Sequence, residues 1–405
     1  MADLTTTLIH HPYEPPAGFA APQPGVFKAS TVFFPSVDAM RQFDWKDKTA
    51  YTYGLHGTPT TYTLEERLCT LEGGRQCLLV PSGLAAIATV SLALLKSGDE
   101  VLIPDNAYGP SKALAEVELK AWGITHQYFD PMDTMDLADR ITPKTKLVWL
   151  EAAGSVTLEF PDLCEQVRVC KAAGVTCALD NTWGAGLAFR PFDLVPGKVP
   201  ALAVDISIHA LTKYPSGGGD VLMGSVVTAD EKLHMRLKLC HMRLGLGVGA
   251  NDAESLLRAL PSLFLRYRAH DEATRVLARW AEQRSEFVQV LHPALAASPG
   301  HANWRAVCGD HAGGAAGLFS VIFKSDYNQA QVDVFCNALR LFKIGYSWGG
   351  PVSLVVPYDL ASMRSSWPKH LQPGTLVRFS VGLETVAELQ ADLEQALRCL
   401  VQTQG

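Results

Sequence analysis

The sequence predicts an α/β protein: a large, mostly parallel sheet covered by helices, then a smaller C-terminal α+β domain, with an extended N-terminal arm in front. Three observations carry that expectation. Short continuous apolar runs alternate with helical stretches between residues 77 and 208, the pattern of parallel strands buried on both faces. After about residue 252 the texture changes to longer amphipathic helices. Residues 1–60 are rich in proline, glycine, threonine and aromatics and cannot build a core of their own.

The 405 residues exceed the roughly 100–200 of a typical domain, and the boundaries expected are 1–60 for the arm, 61–252 for the large domain and 253–405 for the small one. Hydrophobic residues make up 48% and charged residues 19%, enough material for large buried cores. A net charge of −6 argues against nucleic-acid and anionic-membrane partners, which call for a basic face. No run approaches the roughly 18 apolar residues of a membrane span, and Met1-Ala2-Asp3-Leu4 does not open a signal peptide. Nine scattered cysteines without a Cys-x-x-Cys pair read as reduced thiols in a cytoplasmic enzyme.

Taken in order, the arm contains Pro15-Pro16 and Ala20-Ala21-Pro22-Gln23-Pro24-Gly25. Phe33-Phe34 and Tyr51-Thr52-Tyr53 are too apolar for a solvated tail, so the arm is expected to lie on another surface, a neighbouring subunit among the choices. Thr63-x-x-Glu66 forms a capping-box pattern, and Gly73-Gly74 ends the helix behind it. Cys77–Val80 reads as a strand and Leu84–Leu95 as a helix buried on all sides. Further strands are expected at Val101–Ile103, Leu147–Leu150, Thr176–Leu179 and Ala203–Ile208, with a helix at Ser111–Trp122. In such sheets ligand-binding residues collect beyond the carboxyl ends of the strands. In the last part, Ala269, Ala273, Val276, Leu277 and Trp280 follow helical spacing. Thr385-x-x-Glu388 opens a final helix with Leu389, Leu393, Ala396, Leu397 and Leu400 on one face.

Chemistry concentrates at strand ends. Asp180 directly follows an apolar strand, where a carboxylate is poorly solvated without a cation in front of it. A pyridinium nitrogen is such a cation; a helix N-cap or a structural ion pair is the other choice. Lys213 follows the next strand, beside Gly217-Gly218-Gly219, and a desolvated amine there can form a Schiff base with an aldehyde cofactor. Thr212 offers a hydroxyl to a phosphate, although a lone Thr-Lys ahead of a loop is more often a surface pair. Pro81-Ser82-Gly83-Leu84 turns a strand into a helix whose first amides and dipole favour an anion. Tyr108 can stack on a flat ring or be a half-buried loop residue. Arg378 lies inside an apolar strand and needs an anion, either a substrate carboxylate or an internal partner. Tyr346-Ser347-Trp348-Gly349-Gly350 reads as a tight loop that exposes a large aromatic to a substrate or to a neighbouring domain.

Together these residues resemble the Cys/Met-metabolism family of pyridoxal-phosphate enzymes, from about Tyr51 to the final helix. The motifs are Tyr53-Gly54-x-x-Gly57-Thr58-Pro59-Thr60, Leu71-Glu72-Gly73-Gly74, Pro81-Ser82-Gly83, Asp180-Asn181-Thr182, Thr212-Lys213-Tyr214 and Arg378-x-Ser-Val-Gly-Leu-Glu384. The resemblance implies a fold-type I, transferase-like architecture with pyridoxal 5'-phosphate as cofactor and a homotetramer of dimers that share active sites. By position it implies that Lys213 holds the cofactor and then shuttles the proton, that Asp180 pairs with the ring nitrogen, and that Tyr108 stacks on the ring. It also implies phosphate contacts from Ser82, Gly83, Leu84 and Thr212 with Tyr53 of the neighbouring subunit. Arg378, Ser347, Trp348 and Tyr53 would then meet the substrate, a small sulfur amino acid.

Trp348 resembles the version of this loop found in β-lyases, which implies β-elimination of L-cystathionine to homocysteine, pyruvate and ammonia. γ-Elimination, γ-replacement or cysteine desulfhydration on the same scaffold stay open, as does a binding protein that kept the fold. The sequence departs from the family where many members carry an arginine after the arm tyrosine: here stand Leu55 and then His56. Ala210 replaces a common serine, and Val352-Ser353-Leu354 replaces a common Glu-Ser-Leu.

Overall fold

A computed structural model describes residues 21–402 apart from residue 47, together with residues 6, 13, 17 and 18. Met1–Leu4, Pro15-Pro16 and Ala20 of the expected arm lie outside the described residues. Within the arm, Thr31 bridges Tyr53, and a short helix α1 spans Val37–Gln42, capped by Ser36.

Helix α2 runs Pro59–Glu72, one turn earlier than the capping box expected at Thr63. Thr58 is the N-cap and exchanges hydrogen bonds with Thr61, while Pro59 presets the first helical φ. Thr63 instead donates its hydroxyl to Pro59 O from inside the helix. Gly73 closes it in the left-handed conformation at φ 81°, as the sequence suggests.

The large sheet contains β1 (Gln76–Val80), β2 (Glu100–Pro104), β3 (Thr125–Phe129), β4 (Thr145–Glu151), β5 (Thr176–Asp180), β6 (Ile206–Ala210) and β7 (Gly224–Thr228). Their spatial order is β1-β7-β6-β5-β4-β2-β3. β7 is antiparallel to both β1 and β6, and the pairs β6/β5, β5/β4, β4/β2 and β2/β3 are parallel. β1, β2, β4, β5 and β6 therefore all end on one edge of the sheet, where β7 begins. Strands β3 and β7 were not expected: Thr-His-Gln-Tyr-Phe is a polar edge strand, and Gly224-Ser225 opens β7 without an apolar run. Residues Ala203–Asp205, expected in a strand, precede β6.

Helices α3 (Gly83–Leu94), α4 (Gly109–Leu114, continuing through a π turn at Ala115–Leu119), α5 (Thr134–Arg140) and α6 (Leu163–Ala172) connect the strands. α3 packs Ala86, Ile87, Val90 and Leu94 into the core but leaves Leu84 exposed at its first turn, so it is not buried on all sides. Helices α7 (Glu231–Leu244) and α8 (Ala250–Ala259) lead to α9 (Leu263–Glu282). The buried stripe of α9 is Leu263, Tyr267, His270, Ala273, Thr274, Leu277, Ala278 and Ala281, whereas Ala269 and Val276 face outward. Leu277 and Trp280 are buried as their spacing predicts, and Ala278 joins them because it faces the second sheet's core, a constraint that spacing alone does not contain.

That second sheet holds β8 (Phe287–Leu291), β9 (Leu318–Phe323), β10 (Lys343–Ile344), β11 (Leu354–Tyr358) and β12 (Leu376–Ser380) in the order β10-β11-β12-β9-β8. Helices α10 (His301–Cys308), α11 (Gln329–Ala338) and α12 (Val386–Gln402) complete the chain. Val377 and Phe379 of β12 join the core under α12, with Leu389, Leu393, Ala396, Leu397 and Leu400 all buried. Strand alternation then sends Leu376 and Arg378 to the other face, toward the large sheet. Ser320 of β9 pairs with Arg378 and donates its hydroxyl to Val156 O, which fastens that face to the loop after β4.

A buried carboxylate ties the same loop to the segment before β12. Glu159 accepts from Arg364 at 2.6 Å, His370 at 2.5 Å, Asn106 at 2.7 Å and Thr157 at 2.7 Å. The Arg364 charge and the His370 hydrogen bond hold the Glu159 carboxyl near 2 against the opposing effect of burial. Glu159→Ala is expected to cost about 3 kcal/mol of stability, because it strands the buried Arg364 guanidinium; a urea unfolding curve within 1 kcal/mol of the parent would contradict this.

Candidate active site

The edge where β1, β2, β4, β5 and β6 end gathers the residues singled out by the sequence. After β1, Ser82 caps α3 by accepting Ala85 N–H at 3.0 Å, which leaves the first-turn amides of Gly83 and Leu84 for an anion. Gly83 is required here. A Cβ at this position would sit 2.6 Å from Ala210 Cβ at the end of β6. Gly224 likewise lies against Ser82 O, where a Cβ would approach to 2.3 Å. Gly83→Val is expected to push α3 off β6, weaken cofactor retention by about tenfold or more and destabilise by about 1–3 kcal/mol; equilibrium titration of the cofactor-free protein checks it.

Asp180 ends β5. Its Oδ1 accepts the Thr182 amide at 3.0 Å and the Thr182 hydroxyl at 2.5 Å, and that hydroxyl accepts Ala210 N–H at 2.9 Å. Burial pushes the Asp180 carboxyl above its ordinary range despite these bonds. The opposing pull comes from Thr182, from His209 on β6 and from Lys213. His209 is itself set by Glu72 at 3.2 Å, and Glu72 also accepts from Asn181 and Ser207.

Lys213 follows β6 on a rigid backbone. Tyr214 is fully buried, packs on Tyr267 at 4.7 Å and Trp348 at 5.4 Å, and its hydroxyl accepts Gly317 N–H at 2.7 Å. The Lys213 amine donates to Ser347 Oγ at 2.8 Å and stands 5.2 Å over the Trp348 ring. Burial and the Arg378 charge push its pKa down to about 8, with Asp180 pulling the other way. Thr212 is anchored to the start of β7, donating weakly to Met223 O and accepting from Met223 N–H at 3.4 Å.

From the second sheet, Arg378 is 7% exposed, donates to Ser347 O at 3.2 Å and leaves its Nε without a partner among the described residues. Tyr358 of β11 lies 5.4 Å from its guanidinium, and burial pulls the guanidinium pKa down. An unsatisfied buried guanidinium is an anion site. The loop expected at 346–350 is tight, with Ser347 at φ 97°, and the residue it exposes is Tyr346; Trp348 is half-buried against Tyr214. Gly349, at φ 83°, lets the loop touch the Lys213–Tyr214 backbone, where a Cβ would lie 2.9 Å from Tyr214 N.

Tyr108 follows β2, half exposed, with its phenol pKa raised by burial and by the charge of Asp180. Tyr53 stands apart. Its described contacts, with Ser30, Thr31 and His56, stay within the arm. Nor is His56 free to replace the missing arginine within its own subunit: it stacks on Trp45 at 4.8 Å and bonds Thr52 at 2.9 Å. Sequence reasoning missed Glu151 and Tyr358, and named Thr182 in its motif without a role. Glu151 carried the same signal as Asp180, a carboxylate closing an apolar strand; Tyr358 carried none, because a Tyr after Val-Val-Pro reads as ordinary strand.

The donor set fits pyridoxal phosphate: amides at a helix start for the phosphate, a buried carboxylate for the ring nitrogen, a desolvated amine for the aldehyde, and a buried guanidinium with an unpartnered Nε for a substrate carboxylate. The family model for Cys/Met metabolism PLP-dependent enzymes matches residues 5–398. The chain belongs to this family. Its cofactor is pyridoxal 5'-phosphate. Among family members, the chain is similar to cystathionine beta-lyase of Bordetella avium, 38% identical across 96% of both chains. It is similar also to cystathionine beta-lyase MetC of Escherichia coli K12, 34% identical over 92% of this chain and 93% of that one. The crystal structure of cystathionine gamma synthase from Xanthomonas oryzae in complex with cystathionine superposes with a TM-score of 0.83, at 29% identity and 96% coverage of each chain. The architecture is thus the fold-type I arrangement implied by the sequence motifs. No helix among the described residues is long and apolar enough to cross a membrane.

Proposed function

We propose that the protein is a carbon–sulfur lyase that cleaves L-cystathionine by β-elimination to homocysteine, pyruvate and ammonia. The observation that carries it is the Lys213 amine, held by Ser347 over Trp348 and within electrostatic reach of the Arg378 guanidinium and the Asp180 carboxylate. The β-lyase relatives give the same direction.

In this reading Lys213 holds the cofactor through its amine, Asp180 faces the ring nitrogen and Tyr108 covers the ring. Ser82, Gly83, Leu84 and Thr212 take the phosphate, with Tyr53 reaching in from a neighbouring subunit. Bound there, pyridoxal phosphate supplies an electron sink for the charge left at the substrate Cα. Arg378 binds the α-carboxylate and so presents the Cα–H to Lys213. Lys213, freed when the substrate amine takes its place on the cofactor, would take that proton, with Ser347 Oγ fixing the direction of the amine. The proton that Lys213 has taken is passed on to the departing sulfur, while Tyr108 stays neutral over the ring. Ser347 and Trp348 line the substrate.

The assembly belongs to the same proposal: a cytoplasmic homotetramer of dimers, with an arm at 1–60, a cofactor domain at 61–252 and a C-terminal domain at 253–405. The exposed Phe33 and Tyr53 of the arm support contact with a neighbour. A fully active monomer in sedimentation would contradict shared sites.

Lys213 must be neutral to accept a proton, and its pKa is pushed down to about 8. The Cα-proton step should therefore rise about tenfold per pH unit below 8 and level above it; a flat profile from pH 6 to 9 in stopped-flow with Cα-deuterated substrate would contradict this. Incubation with L-cystathionine tests the reaction itself. Pyruvate with homocysteine is expected; oxobutyrate with cysteine would assign γ-elimination instead.

A further inference from the structure

Glu151, the last residue of β4, has no part in the mechanism above. It stands in register with Asp180, so the two side chains leave adjacent parallel strands on one face, and both border one small cavity with Ile87, Ala107 and Ser111. Its Oε2 accepts the amide of Tyr108 at 2.8 Å, and its Oε1 accepts the hydroxyl of Ser155 at 2.6 Å. Neighbouring buried carboxylates cannot both ionise without a large cost. These two are not equivalent. Burial raises the Asp180 carboxyl too, but Asp180 takes two hydrogen bonds from Thr182 and faces His209 and Lys213, all of which favour its ionised form. Glu151 is buried and meets the Asp180 charge, and these two effects raise its pKa above the contributions of Ser155 and Tyr108 that favour ionisation.

We propose that Glu151 is a positioning residue that carries the proton of a carboxyl–carboxylate pair with Asp180 and holds Tyr108 in place through its amide. Asp180 is thereby left as the ionised member toward the ring nitrogen. A neutral Glu151 serves both bonds: one oxygen still accepts Tyr108 N–H, and its O–H donates to Ser155 Oγ. The inference rests on the reading that Asp180 and Tyr108 hold the cofactor ring.

Carbon-13 NMR titration of side-chain carboxyls in the cofactor-free protein tests the proton directly, with the Glu151 signal identified by its loss in Glu151→Gln. A Glu151 carboxyl still protonated at pH 6 is expected, and an ionised one at that pH overturns the proposal. Cofactor affinity tests the positioning. Glu151→Gln keeps the acceptor and the neutral charge and should bind pyridoxal phosphate within about threefold of the parent. Glu151→Ala should lose about tenfold, the order expected for one buried hydrogen bond. Equal losses in both variants, or none in Glu151→Ala, overturn it. Asp180→Asn separates the two levels: unchanged cofactor affinity there would sink the reading of the ring site, whatever the titration of Glu151 shows.

Discussion

Replacing Lys213 by alanine is expected to lower turnover of L-cystathionine by about 10³-fold or more, while leaving the fold intact. The size follows from what the amine does. A positioned base contributes on the order of 10²–10⁴ in rate, and loss of the cofactor's attachment adds to that. The fold should survive because Tyr214, not the lysine, anchors this segment through its ring contacts and Gly317. Removing the amine strands Ser347 Oγ, which loses a single hydrogen bond. Exogenous methylamine should restore part of the rate. Steady-state assays of the variant reconstituted with excess cofactor decide this, and turnover within tenfold of the parent would refute the role of Lys213.

The second large effect is expected at Arg378. In Arg378→Ala, kcat/KM should fall by about 10²-fold or more, mainly through KM, since charge-assisted bonds to a carboxylate contribute roughly 1.5–3 kcal/mol each. The cofactor should stay bound, because the guanidinium contacts Ser347 and Tyr358 on the substrate side. Arg378→Lys should recover little, for an ammonium cannot make the planar two-point contact. A variant with parent KM and lowered kcat would mean that Arg378 acts on the chemistry rather than on the carboxylate. Loss of cofactor instead would point to a structural role.

Much of this site was legible in the sequence because parallel strands put chemistry at predictable places. Asp180 and Lys213 each follow an apolar run, and the structure brings both to the same edge of the sheet, with Ser82-Gly83 beside them. Arg378 was legible for a different reason: a guanidinium amid Leu-Val and Phe-Ser cannot be buried without purpose. What the sequence hid depends on pairings between distant segments. β7 is set by its two antiparallel neighbours rather than by its own apolar pattern. Ala273, Leu277 and Trp280 of the expected α9 stripe are buried, but Ala269 and Val276 face outward and Ala278 turns in toward the second sheet instead. α2 is capped at Thr58 because the Thr58–Thr61 exchange, with the fixed φ of Pro59 between them, outcompetes the later Thr63 pattern. Tyr358 and Glu151 became visible only when β11 and β4 were placed beside Arg378 and Asp180.

The central claim, that pyridoxal phosphate is held by Lys213 at this edge of the sheet, is tested most directly by borohydride reduction of the cofactor-loaded enzyme followed by peptide mass mapping. A single pyridoxyl group on the peptide containing Thr212-Lys213-Tyr214 is the result expected. A label on another lysine, or no stable label while the enzyme remains active and coloured, would contradict the account.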